Sequence, residues 1–282
     1  MNLPRISRRD FLAKAGIGGG TVFTGYAGFC EPQWLDVGRH EVKTKEGGEP
    51  LKILHLSDLH ASWCVNLHYL GEAITLGLQQ KPDLICVTGD FITTKFADFD
   101  GYCRVLSRLA PAAPTFACLG NHDGGDWARH HGGHDNTVWI RNVLAASKIE
   151  LLHNRATGVQ LKNRRLRLVG VGDYDAGEVE AAAAFGHAVS GPAPYTLLLA
   201  HNPDTKSLVA AHPWDLMLSG HTHGGQFCMP LIGAPFNPVI DKRFLAGMYC
   251  WQGRQIHITK GVGNVFGLRF NCRPEISLLT LT

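Results

Sequence analysis

The sequence lacks the patterns that would place it in several common functional classes. Its eight cysteines include no C-x-x-C pair, a spacing that does not suit a structural zinc site. A formal net charge of +3 is too small to indicate a nucleic-acid partner, although it suits an enzyme with an anionic substrate. No internal repeat or low-complexity linker is visible. With 45% hydrophobic and 18% charged residues, the composition is that of a globular protein.

The cysteines are expected to be mostly free and buried. Cys86 lies in the apolar run DLICVTGD and Cys118 in TFACLGNHD, where a small hydrophobic side chain fits. A disulfide between two of the eight stays open as an alternative if the protein works outside the cytoplasm.

The N-terminus resembles a twin-arginine export signal. Arg8 and Arg9 precede Phe11-Leu12 and a weakly apolar, glycine-rich stretch from Ala13 to Cys30. That stretch is too short and too rich in glycine for a transmembrane helix. Cleavage and retention as a membrane tether both stay open, because no clean A-x-A site is visible. We therefore expect residues 1–30 to be a signal or tether, residues 31–50 a linker, and residues 51–282 the catalytic domain. The implied location is periplasmic or on the inner membrane, reached through the twin-arginine translocase.

From Leu51 onwards, short apolar runs alternate with helical patterns, which is typical of an α/β fold. Strands are predicted at 51–56, 83–88, 115–119, 196–200, 215–218 and 276–281, with helices at 67–79, 99–109 and 181–187. Residues 149–153, 158–161 and 165–171 are predicted to form a meander, and 244–259 a hairpin that turns at Gln252-Gly253.

Polar clusters follow five of these strands directly. Since ligand sites of open α/β sheets form at the carboxyl ends of strands, the clusters should meet at one edge. Each cluster by itself is weak evidence for a ligand site, because Gly-Asn is also common in turns and a single histidine is more often structural. In chain order the clusters are Asp58-Leu-His60, Gly89-Asp90, Gly120-Asn121-His122-Asp123, His201 and Gly220-His221-Thr-His223.

Taken together, these clusters resemble the pattern D-x-H, G-D, G-N-H-[DE], H, G-H-x-H of the calcineurin-like metallophosphoesterase superfamily. The resemblance covers residues 51–282 and is greatest to small twin-arginine-exported bacterial phosphodiesterases of the YaeI and YkuE type. It implies an α/β fold, a four-layer α-β-β-α sandwich.

The resemblance also implies a binuclear metal site. One ion would be held by Asp58, His60, Asp90 and His223, and the other by Asp90, Asn121, His201 and His221. Two cations held close together need a shared anionic ligand, and Asp90 would be that bridge. Nitrogen and oxygen donors without thiolate suit Mn²⁺, Fe or Zn²⁺ better than Mg²⁺ or Ca²⁺, and we favour Mn²⁺.

In the family pattern His122 is a catalytic residue that faces the leaving group, while a metal-bridging hydroxide attacks phosphorus. The residue that orients His122 stays open, with Asp123 one candidate. Arg269 is a candidate for binding the substrate phosphate. Phe91-Ile-Thr-Thr94 stands where phosphoprotein phosphatases supply a further Asp and Arg, which argues against that activity.

The resulting expectation is a phosphodiester or pyrophosphate hydrolase that acts at or outside the inner membrane. An alternative is a UDP-2,3-diacylglucosamine pyrophosphatase of lipid A biosynthesis, with a nucleotide-lipid substrate. A more remote alternative is a non-catalytic metal-binding scaffold, which the complete ligand set opposes. A lactamase-type hydrolase would need an H-x-H-x-D-H cluster, which the sequence lacks.

Overall fold

The computed structural model describes residues 23–44, 48–189, 191 and 195–282 of the chain. Arg8, Arg9 and most of the predicted signal lie outside the described residues. No helix within the described ranges is long and apolar enough to span a bilayer.

Twelve strands build two mixed sheets in the described part of the chain. In chain order they are β1 (Asp36–Val42), β2 (Leu51–Leu56), β3 (Leu84–Thr88), β4 (Thr115–Cys118), β5 (Glu150–Leu151), β6 (Arg155–Leu161), β7 (Arg164–Gly170), β8 (Tyr195–Leu199), β9 (Leu216–Ser219), β10 (Gly247–Trp251), β11 (Arg254–Ile258) and β12 (Glu275–Leu281). The first sheet has the order β1-β12-β2-β3-β4-β5, and the second β10-β11-β9-β8-β7-β6.

Short helices connect and cover the strands. They are α1 (Leu67–Leu78), α2 (Phe99–Leu106), α3 (Asp126–His130), α4 (Val138–Ala146), α5 (Ala181–Gly186) and α6 (Thr205–Leu208). The Asn66 side chain accepts a hydrogen bond from the backbone N–H of Tyr69, and the Asp98 side chain accepts one from Gly101. These bonds satisfy N–H groups that the first helical turn leaves unpaired, and so fix where α1 and α2 begin.

Three apolar cores separate four layers. Because side chains alternate along a strand, Leu54 faces α1 while its neighbour Ile53 faces the second sheet. The central core joins Ile53 and Leu84 of the first sheet to Leu168 and Leu197 of the second. A third core, which includes Phe185 of α5, covers the outer face of the second sheet. This confirms the predicted α/β sandwich.

The sheet topology brings the polar clusters together. Strands β2, β3 and β4 are parallel, as are β7, β8 and β9, so the carboxyl ends of each set share an edge. The side chain of His201, just after β8, reaches the carbonyl of Thr88 at the end of β3. The two edges therefore meet at one place.

Two expectations about the outer strands are wrong. The segment predicted as a linker, residues 31–50, contains β1, which pairs in parallel with β12 along its whole length. The predicted meander is divided, because β5 pairs with β4 in the first sheet while β6 and β7 form a hairpin in the second. Strand partners depend on residues far along the chain, so local alternation does not reveal them.

Candidate metal centre

The seven predicted metal ligands converge at this junction, and none is more than 8% exposed. The ligand atoms of Asp58, His60 and His223 lie within 4.8 Å of one another, and so do those of Asp90, His201 and His221. This division matches the two halves of the predicted site, with Asn121 buried beside the second half. The assignment of these residues as metal ligands stays a prediction, and the geometry below supports it.

Five of the seven residues have left-handed backbone conformations, which non-glycine residues rarely adopt. Strain of this kind costs roughly 1–3 kcal/mol per residue and collects at functional sites. The φ angles are 52° at Asp58, 48° at His60, 53° at Asp90, 68° at His221 and 51° at His223. The left-handed turn after each strand directs the side chain into the site. The strain lowers the stability of the fold, and the placement of the ligands depends on it.

Glycines before these residues allow the loops to approach closely. A Cβ atom on Gly220 would contact Ser57 Oγ and Asp58 Oδ2, and one on Gly120 would contact Asp90 Oδ1. The glycines of the G-N-H and G-H-x-H motifs are therefore required by packing, because no side chain fits between the loops.

The side chain of Asp90 lies between the two halves of the site. Its Oδ2 atom is 3.4 Å from His60 Nε2 and 3.1 Å from His201 Nε2. Its Oδ1 atom accepts a hydrogen bond from the backbone N–H of His122 at 3.0 Å. One carboxylate oxygen is thus held by the backbone, and the other faces a histidine from each half, as a bridging ligand requires.

Hydrogen bonds outside the site fix the tautomers of two histidines. His201 Nδ1 lies 2.7 Å from the carbonyl of Thr88, which can only accept, so Nδ1 carries a proton and Nε2 is the ring nitrogen that faces Asp90. The Thr93 hydroxyl donates to the carbonyl of His60 and can accept from His60 Nδ1 at 3.1 Å. His60 Nε2 is then also an electron-pair donor facing the site.

These lone pairs face one another in a way that calls for cations. His60 Nε2 lies 3.1 Å from His223 Nε2, and His201 Nε2 lies 3.2 Å from His221 Nδ1. In addition, Asn121 Oδ1 is buried without a hydrogen-bond partner. Buried lone pairs that converge without donors are unfavourable unless a cation accepts them, and mixed nitrogen and oxygen donors suit Mn²⁺, Fe or Zn²⁺. The residues present therefore fit divalent metal ions.

The electrostatics of the centre agree with this fit. Burial lowers the pKa of His60 to about 3 and that of His223 well below its usual value, so both rings are neutral and can act as ligands. Burial opposes ionisation of Asp90, but the charges of His201 and His122 outweigh it and hold the Asp90 pKa well below the usual range. The centre combines neutral imidazoles at His60 and His223 with the Asp90 carboxylate, which keeps its negative charge and outweighs burial to raise the pKa of His201 well above its usual value.

Asp175, which the sequence analysis missed, contacts the metal centre through His221. Its Oδ2 atom lies 3.1 Å from His221 Nε2 and accepts a further hydrogen bond from the Asn202 side chain. Burial acts to raise the pKa of Asp175, but the hydrogen bond from His221 and the charge of that ring outweigh burial, so the pKa is lowered. Asp175 thereby keeps the proton on Nε2 and leaves His221 Nδ1 as a ligand atom. The signal was present, because Gly172-Asp-Tyr-Asp175 is another polar cluster just after a strand.

His122 is oriented by a backbone carbonyl rather than by Asp123. His122 Nδ1 donates to the carbonyl of Thr93 at 2.7 Å, which leaves Nε2 for the reaction. Asp123 instead accepts hydrogen bonds from the backbone N–H groups of Gly120, Asp90 and Phe91, and so fastens two ligand loops together. Asp123, the candidate named for orienting the imidazole, therefore has a different role.

The structure also corrects the expectation for Arg269. This side chain is fully buried, and its guanidinium donates to the carbonyls of His223, Cys272, Lys260, Gly261 and Gly263. A guanidinium whose terminal nitrogens are engaged by backbone carbonyls has no exposed face for a phosphate. Arg269 holds the backbone of the His223 loop in place.

Comparisons with known proteins agree with the site. The family model for calcineurin-like phosphoesterase matches residues 51–225. The phosphodiesterase YaeI of Escherichia coli (strain K12) is 45% identical over 98% of this chain and 99% of its own. The uncharacterized metallophosphoesterase YkuE of Bacillus subtilis (strain 168) is 29% identical over 99% of both chains. The UDP-2,3-diacylglucosamine pyrophosphatase LpxG of Chlamydia trachomatis is 24% identical over 81% of this chain and 83% of its own.

Proposed function

The chain belongs to the calcineurin-like phosphoesterase family and is a metal-dependent phosphoesterase, and from that premise we propose a two-metal phosphodiester or pyrophosphate hydrolase. The observation that carries the proposal is the convergence of six buried ligand side chains in two groups of three, with Asp90 facing both groups. A complete set of ligand residues also argues against the alternative that the protein is a non-catalytic metal-binding scaffold.

The residues can be given roles in this reaction. Asp58, His60, Asp90 and His223 would hold one divalent ion, and Asp90, Asn121, His201 and His221 the other. When bound, the two ions would neutralise phosphate charge and lower the pKa of water. His122 Nε2 would supply a proton or positive charge to the leaving oxygen, because Thr93 fixes the ring through Nδ1. Asp175 and Asp123 would keep the ligands in position.

The surroundings of His122 favour a substrate with two ester groups. Its ring lies 4.7 Å from that of Trp127, which stacks on His131 at 3.8 Å, so an aromatic wall borders the leaving-group side. Phe91 and Ile92, where phosphoprotein phosphatases supply charged groups, are fully buried and apolar. A diester brings less charge and one more organic group than a monoester, and both properties suit this site.

We therefore expect bis(p-nitrophenyl) phosphate to be hydrolysed faster than p-nitrophenyl phosphate. The comparison uses the full chain with Mn²⁺ supplied and measures kcat/KM for both esters. The two esters share a leaving group, so the difference reports recognition of the non-reacting ester. A clear preference for the monoester would overturn the diesterase assignment.

The alternative substrate is a nucleotide-lipid pyrophosphate. It is supported by the similarity to LpxG, named as a UDP-2,3-diacylglucosamine pyrophosphatase. Release of UMP from UDP-2,3-diacylglucosamine at a rate above that for the model diester would make this alternative the better assignment.

For location we propose export by the twin-arginine route, with the protein periplasmic or bound to the inner membrane. Arg8→Lys combined with Arg9→Lys should leave the protein folded but confine it to the cytoplasm, because the paired guanidinium groups are the recognised feature. Cell fractionation with a phosphodiesterase assay measures both folding and location. Arg5→Lys, outside the pair, is the matched control and should be exported normally. Unchanged export of the double variant would refute the proposed route.

A further inference from the structure

A segment without any charged residue borders the metal centre. We call residues 228–240 the apolar loop; it reads CMPLIGAPFNPVI. Four large apolar side chains in the loop are exposed to solvent. Their relative accessibilities are 108% for Leu231, 69% for Ile232, 70% for Phe236 and 73% for Ile240. Single exposed apolar side chains are ordinary, but a charge-free run that exposes four large ones is an interaction surface.

The apolar loop is held in this exposed arrangement by the fold. Met229 and Gly233 exchange two backbone hydrogen bonds at 2.8 and 2.9 Å, which places Leu231 at the tip of a tight turn. The carboxylate of Asp204 accepts from the backbone N–H of Ile240 at 2.5 Å. The exposure of these side chains is thus a built property of the surface and does not come from a loose segment.

The apolar loop is also directly connected to the metal site. It begins five residues after His223, and Ala234 packs so closely on Gly225 that a Cβ atom there would clash. Beyond the loop, the Leu245 carbonyl accepts a hydrogen bond from Thr222 Oγ1 at 2.6 Å, between the two histidines of the G-H-x-H motif. Whatever covers the apolar loop therefore lies at the edge of the metal centre.

The N-terminal part of the described chain joins the same surface. Phe23 and Tyr26 pack on Phe270 with ring centroids 4.7 and 6.5 Å apart, and Phe270 pairs with Phe227 beside the apolar loop. Phe29, in the same segment, is 81% exposed. The preceding residues 1–22 carry four basic side chains and one acidic side chain. Aromatic side chains of the segment that begins at Phe23 thus lie beside the apolar loop, and the sequence before Phe23 is basic.

We propose that this face docks on a phospholipid bilayer with anionic headgroups. The side chains of Leu231, Ile232, Phe236 and Phe29 would enter the region between headgroups and acyl chains. The excess of basic over acidic residues in the sequence before Phe23 favours anionic headgroups. The metal centre at the edge of the apolar loop would then meet phosphodiesters that are attached to the membrane. The inference rests on the proposed activity and location and gives them a substrate class.

The test is co-sedimentation of the full chain with vesicles. Vesicles of phosphatidylcholine and phosphatidylglycerol should bind the wild-type protein, and those of phosphatidylcholine alone should bind it less. Leu231→Glu combined with Ile232→Glu should lower the bound fraction by about tenfold, because burying a carboxylate in the interface is unfavourable. Both side chains are exposed, so the fold should be retained. Val138→Glu, which changes an exposed apolar residue on α4, is the matched control and should bind normally.

Hydrolysis of bis(p-nitrophenyl) phosphate separates this inference from the proposed function. The double variant should keep wild-type activity on that soluble ester, since neither residue belongs to the metal centre. Wild-type protein that binds vesicles but hydrolyses no diester would refute the proposed function and leave the docking face intact. Equal vesicle binding by wild type and double variant would overturn the docking face. The docking face would also be overturned if light scattering showed that the wild-type protein is a dimer and the double variant a monomer, while both bound vesicles equally.

Discussion

Replacement of Asp90 by alanine is expected to lower bound metal in both halves of the site and to abolish turnover. Asp90 Oδ2 is within 3.4 Å of His60 and 3.1 Å of His201, so one carboxylate serves both groups of ligands. Two cations held about 3.5–4 Å apart repel each other strongly, and a shared anion is what offsets that repulsion. Metal analysis of the purified protein should show a fall from about two ions per chain to fewer than one.

Asp90→Asn distinguishes loss of charge from loss of shape. The amide can keep the hydrogen bond from the His122 backbone, so the fold should survive while metal affinity falls. Asp126→Ala, which removes a largely exposed carboxylate that pairs only with Arg129 among the described residues, is the matched control and should retain full metal content. Normal metal content in Asp90→Ala would mean that Asp90 bridges nothing.

His122→Ala is expected to separate catalysis from metal binding. The His122 ring is held through Nδ1 by the Thr93 carbonyl and belongs to neither group of ligands. The variant should therefore keep close to two ions per chain, while kcat falls by roughly 10²–10⁴, the usual contribution of a positioned acid or base. Metal analysis and steady-state kinetics on the same preparation measure both quantities.

The identity of the leaving group makes this prediction specific. If His122 protonates the leaving oxygen, the loss should be largest for an alkoxide and should shrink for nitrophenolate, which departs without a proton. His130→Ala changes an exposed histidine of the neighbouring helix α3 and should have little effect. If kcat fell equally with both leaving groups, His122 would not act as the acid. If His122→Ala lost one metal ion per chain, His122 would be a metal ligand.

Much of this protein was determined by the sequence alone. The ligand types and their order follow from local chemistry, because Asp, Asn and His directly after short apolar runs must lie at strand ends. Parallel strands place those ends at one edge, so the positions of Asp58, Asp90 and His201 could be predicted without coordinates. The same reasoning would have found Asp175, which follows β7 in the same way.

The tertiary structure decided what depends on partners distant in the chain. Arg269 has the chemistry of a phosphate ligand, yet burial among five backbone carbonyls makes it a support for the His223 loop. The partner of His122 is the Thr93 carbonyl, and every residue carries such a group, so no side-chain pattern could mark it. The strand β1 acquires its place only by pairing with β12 at the far end of the chain. Residue type and order set the chemistry that is available, whereas burial and long-range pairing assign each group its use.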